Sequence, residues 1–157
     1  MLIEFKDYLT FENIYFWSNI GILPFWLMII LIPNSRLTQI LVNSVIIPLI
    51  LSSAYVYVFY QAVLMDESFL EIFKIYFDLE NLYTVFATES FLLVFWLHFL
   101  AINIFLGSWV SRDGIKYNIP RLSLSIILII IFFTGPLGLV LHWLIRIFYA
   151  RRLGFHD

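Results

Sequence analysis

Residues 122–135 read "LSLSIILIIIFFTG". The run has no alternation of apolar and polar positions, which argues against a half-buried strand or the wall of a membrane barrel. It reads as a helix that is apolar all round. Its setting makes the solvent clear: the 157-residue chain is 62% hydrophobic and 13% charged, with a mean hydropathy of +0.95. A soluble domain carries about 25% charged residues, so this chain could not cover its own surface in water. In a bilayer only helices or a closed barrel satisfy the backbone. The expected fold class is therefore all-α, an integral membrane bundle.

Four runs come near the roughly 20 apolar residues a span needs. They lie at 13–32, closed by "PNSR", at 37–64, at 90–110 and at 122–149, in a single membrane domain covering 1–157. Trp17, Trp26, Trp109 and Trp143 fall near their ends, where aromatic belts sit. Between the second and third runs, Glu67, Glu71, Lys74 and Asp78 recur at helical spacing. That pattern predicts an amphipathic helix over 67–78, either lying in the membrane interface or packed on the bundle as a solvated loop helix.

Four spans put both termini on one side with Lys6, Lys74, Arg146, Arg151 and Arg152, against Arg36, Arg112, Lys116 and Arg121 on the other. Five cations against four leave the orientation undecided. With no cysteine, disulfide and thiolate chemistry are excluded. The acidic start "MLIEFKDYLTFEN" resembles neither a signal nor a transit peptide, so a bacterial cytoplasmic membrane is the expected location. The net charge of −2 and the lack of a basic cluster argue against nucleic acid as a partner.

Polar groups inside hydrocarbon usually face a partner or a cavity. On the third span, His98 and Asn103 stand about 140° apart around a helix. His98 shares a stripe with Ile102, Phe105 and Trp109, and Asn103 aligns with Trp96 and Gly107. Histidine can serve as acid or base near neutral pH; a histidine bonded to a carbonyl is the plainer reading. Asn103 suits an interhelical hydrogen bond beside a small residue. In the fourth run, "FFTGPLGLVLHWLIR" (132–146), Pro136 takes the helical donor from the carbonyl of Phe132. Gly135 and Gly138 allow close approach of a helix or ligand, and Thr134, Gly138, His142 and Arg146 step by i+4. The segment is either a broken helix forming an internal site or a simple kink with Arg146 snorkelling to headgroups.

Other chemistries lack their residues. His98, His142 and His156 are too few for a membrane di-iron site, and no lysine lies in a span to carry a retinal Schiff base. No phosphate loop, HExxH or nucleophile elbow occurs. No metal and no cofactor is expected.

The stretches "HFLAINIFLGSWVSRDGIKYNIPR" (98–121), "TGPLGLVLHWLIR" (134–146) and "FWSNIGILPFWLMIILIPNSRLTQ" (16–39) carry a resemblance. The chain resembles the family related to plant abscisic-acid-deficient-four, the neoxanthin-synthase-like membrane proteins. His98, Phe105, Asp113, Gly114, Lys116, Asn118, Ile119, Arg121, Pro136, Gly138 and His142 fit its pattern, as do Asn19, Pro24, Trp26, Pro33 and Thr38. Asn103 departs from it, standing where the family usually has an aspartate.

The plant members are implicated in forming neoxanthin from the epoxide violaxanthin. The resemblance thus implies carotenoid metabolism, an isoprenoid ligand and an epoxy-carotenoid isomerase. Such chemistry needs an acid for the epoxide oxygen and a base for the polyene proton. His98 and His142 are the candidates, with Asp113 positioning the end group near the membrane surface. Asn103, Trp109, Gly138 and Arg146 are the candidate substrate-binding residues. Two rival readings stand beside it: a non-catalytic membrane protein that binds carotenoid or organises a complex of membrane protein partners, and a small transporter built on the broken helix.

Overall fold

The computed structural model describes residues 9–44, 46–64 and 73–151. Among them every regular element is helical: α1 (Phe11–Leu31), α2 (Arg36–Leu41), α3 (Ile46–Phe59) continued by a π turn (Tyr60–Leu64), a 3₁₀ turn (Phe73–Tyr76), α4 (Leu79–Phe86), α5 (Glu89–Lys116), α6 (Arg121–Thr134) and α7 (Pro136–Ala150). The all-α expectation holds. Three segments, Phe11–Leu31, Arg36–Val63 and Glu89–Lys116, are long and apolar enough to cross a membrane.

Three boundaries differ from the sequence reading, each for a local reason. The second run breaks between α2 and α3, where Asn43 N–H folds back to the Thr38 carbonyl. Ser44 then accepts from Ile46 N–H at 3.4 Å, and Pro48 falls in the first turn of α3, where no helical donor is needed. Beyond the third run, which was expected over 90–110, the helix itself goes on: α5 continues through Ser111–Lys116. It ends in a Schellman motif: Asn118 takes φ 55°, its N–H bonds the Ile115 carbonyl at 3.1 Å, and Ile119 N–H bonds Gly114 at 2.9 Å. The fourth run is two helices, α6 and α7. As for the predicted helix over 67–78, residues 67–72 lie outside the described ones; Phe73–Tyr76 is a 3₁₀ turn, and Asp78 caps α4 by accepting from Glu80 N–H at 3.1 Å.

The chain forms two units, residues 1–21 with 49–101 and residues 22–48 with 102–157. In the first, Ile14, Val58, Ala62, Val63, Leu93, Val94 and Leu97 make a buried apolar cluster. Trp96 Nε1–H donates to Asn19 Oδ1 at 3.0 Å, and Asn19 in turn donates to the Tyr15 carbonyl at 2.7 Å.

The second unit is built around the carboxyl-terminal half of α5. Leu124 of α6 packs on Gly114, where an added Cβ would lie 2.6 Å from it, and eleven residues further on Gly135 meets the Asn103 side chain. These two contacts run α6 antiparallel to α5. At Gly138 a Cβ would lie 2.7 Å from the backbone nitrogen of Ile131. Residues seven apart are about 10 Å apart along a continuous helix, so the chain has turned back on itself. Gly135 supplies the turn with φ 55° and ψ −86°, a conformation open chiefly to glycine. α6 and α7 are thus an antiparallel hairpin rather than one kinked span.

Trp26 is also reassigned. It is 3% exposed, seated on Gly107 and edge-on to Phe132 at 5.4 Å, so it packs the unit's interior rather than joining an aromatic belt.

Candidate active site

The return of α7 beside α5 brings two i+4 stripes face to face. Trp109 and Asp113 come from α5, with Tyr117 immediately after its end; Gly138, His142 and Arg146 come from α7. His142 Nε2 lies 2.9 Å from Asp113 Oδ2. Arg146 Nε–H donates to that same oxygen at 2.8 Å, and its Nη2 donates to Tyr117 Oη at 3.2 Å. The guanidinium also sits over the Tyr117 ring, 4.6 Å from its centroid. Trp109 meets the imidazole edge-on at 5.6 Å.

Burial is nearly complete. His142 is 0% and Arg146 1% exposed, while the Asp113 side chain is 10% exposed. Arg146 therefore does not snorkel. An unpaired guanidinium at such a site would be costly, and a carboxylate with a second donor offsets that cost.

An ionised carboxylate only accepts, so His142 donates Nε2–H to Asp113 Oδ2, and on a neutral ring the lone pair then sits on Nδ1. Nδ1 is buried and has no hydrogen-bond partner. Asn103 Nδ2 and Ser111 Oγ share that condition, both in the same unit. Buried polar atoms are otherwise almost always bonded. The arrangement can take up a proton at Nδ1 while Asp113 steadies the resulting imidazolium.

Of the residues singled out from sequence, the structure gathers Asp113, His142, Arg146 and Trp109 into one cluster. Gly138 serves the hairpin, its open face being filled by Ile131. Asn103 lies at the hairpin turn against Gly135. His98 belongs to the other unit, exposed and 6.1 Å from the Tyr55 ring. Asp113 is the direct partner of His142 and Arg146. Tyr117 escaped the sequence reading, although its place four residues after Asp113 put it on the same helix face. Ser108, which donates to Asn43 Oδ1 at 3.2 Å, also escaped, since nothing local links positions so distant in sequence.

A family model described as ABA DEFICIENT 4-like matches residues 13–142. The chain is 26% identical over 130 residues to Protein ABA DEFICIENT 4, chloroplastic, of Arabidopsis thaliana, an alignment covering 80% of this chain. The chain spans 57% of that relative's length. No solved structure matches. Asp113 and His142 fall inside the matched region and Arg146 just beyond it. The relative's name places that protein in the chloroplast; the expected bacterial cytoplasmic membrane gains no support from it, whereas the three apolar segments fit membrane insertion.

Proposed function

Because the chain belongs to the ABA DEFICIENT 4-like family, we propose that it is a membrane protein of carotenoid or related isoprenoid metabolism that isomerises an epoxide. The observation supporting the reading is His142 Nδ1, a buried lone pair without a partner on a ring oriented by Asp113.

In such a reaction an epoxide C–O bond breaks, the oxygen becomes a hydroxyl, and the polyene carbon beside it loses a proton. Substrate and product are isomers, so no net proton is consumed. One imidazole can remove the carbon-bound proton and return it to the oxygen. Asp113 acts as a positioning residue that holds the tautomer and stabilises the charged ring. Arg146 fixes Asp113 in place, and Trp109 offers an apolar wall to the polyene. Conversion of added epoxy-carotenoid by the purified protein tests the proposal. His142→Gln is expected to lower the rate at least ~100-fold, within the usual contribution of a general acid–base group, with normal protein levels. His98→Ala is the parallel variant, for which the wild-type rate is expected. Unchanged conversion by His142→Gln would end the catalytic reading.

Asn103 favours a second reading. An amide cannot ionise, and it stands at the hairpin turn where the family usually carries an aspartate. A non-catalytic protein that binds carotenoid would co-purify with pigment and return an added epoxide unchanged.

A further inference from the structure

The α6–α7 hairpin has a consequence for how the chain meets the membrane. Each arm, 14 and 15 residues, is about 21–23 Å long, short of the ~30 Å hydrocarbon core. The arms are antiparallel, so the start of α6 and the end of α7 lie at one end of the second unit. Arg112 and Lys116 close α5 at that end, Arg121 opens α6, and Arg151 follows α7. Ser125 donates to the Ile30 carbonyl at 3.4 Å, and Thr38 Oγ1 to the Ile32 carbonyl at 2.8 Å, which bring the turn bearing Arg36 to the same end. Arg36, Arg112, Lys116, Arg121 and Arg151 are all exposed.

We propose that α6–α7 is a re-entrant hairpin, entering and leaving the bilayer on one face, and that its rim of cations rests on an anionic phospholipid leaflet. The partner is a lipid surface because the patch edges apolar helices: Leu122 is 74% and Phe148 81% exposed within a turn of Arg121 and Arg151. A continuous fourth span divides the cations five to four; the hairpin removes the balance. Among the described residues, five exposed cations, Arg36, Arg112, Lys116, Arg121 and Arg151, belong to the second unit, and Lys74 alone lies outside it. Positive residues of short segments stay on the cytoplasmic side, where anionic lipid concentrates and attracts them. The rim therefore faces the compartment from which the chain is inserted.

The chain has no cysteine, so single substitutions give unique labels. Arg121→Cys and Arg151→Cys, each in the full chain expressed in a bacterial host, would be treated with a membrane-impermeant maleimide. Both sites are expected to stay unlabelled in intact cells and to label after permeabilisation. Labelling of one site alone in intact cells would mean a fourth span and overturn the hairpin. Labelling of both would overturn the leaflet assignment. Sites that react only after denaturation would sink the exposed rim. If Arg121→Cys fails to accumulate, Lys116→Cys reports the same turn.

Discussion

Asp113→Ala is expected to destabilise the protein by about 3–5 kcal/mol, the usual effect of removing one member of a buried ion pair. The carboxylate oxygen that accepts from both His142 and Arg146 disappears, and an arginine 1% exposed loses its counter-charge. Tyr117 still accepts one of its protons, but a phenol does not neutralise a guanidinium. Replacing both charged partners is expected to cost much less than the sum of the single changes. Asp113→Ala, Arg146→Met and the double variant, compared by equilibrium unfolding in detergent micelles, should show about 2–3 kcal/mol of coupling, near the upper end for interacting residues. Strictly additive effects would mean that the pair contributes nothing as a pair.

Gly138→Ala is the second large effect. The added methyl would lie 2.7 Å from the Ile131 nitrogen and 3.0 Å from its Cα. Backbone cannot swing aside as a side-chain tip can, so the arms of the hairpin must separate. The expected cost is about 3 kcal/mol, the upper end for overpacking. Gly21→Ala is the control, since nothing lies within 4 Å of its added Cβ; in an exposed helical turn the exchange is expected to stabilise by up to ~1 kcal/mol. Equal melting temperatures for the two variants would show that the close approach at Gly138 has no energetic weight.

Much of this was legible in the sequence. Composition and unbroken apolar runs imposed helices and a membrane, and the family resemblance covered the region that the family match later covered. Asp113, His142 and Arg146 were each marked, but their partnership was not. They meet across 29 and 33 residues, and only the direction taken by α7 brings them together. That direction depends on the positive φ of Gly135 and the close packing at Gly138, which a sequence shows merely as two glycines beside a proline. A kinked span and a hairpin share the same apolar pattern, so the sequence left Arg146 open between a place in an internal site and snorkelling to headgroups. That α5 runs on past the expected span has a related cause. Ser-Arg-Asp-Gly looks like a helix leaving hydrocarbon, yet Asp113 is neutralised by its partners and Gly114 makes room for Leu124.

The separations along the chain also set an order of assembly. Residues 131 and 138 touch across a short loop, so the arms of α6–α7 come together at little entropic cost. Asp113 closes the two much longer loops to His142 and Arg146, and longer loops cost more to close. The hairpin is thus expected to pair early and its docking onto α5 to complete late. Interactions absent from the transition state govern unfolding rather than folding. In kinetic measurements, Asp113→Ala should speed unfolding and leave the folding rate nearly unchanged; a slowed folding limb would place the docking early instead. The buried charges would then act as a latch on a structure already formed, holding it closed against time more than guiding it to close.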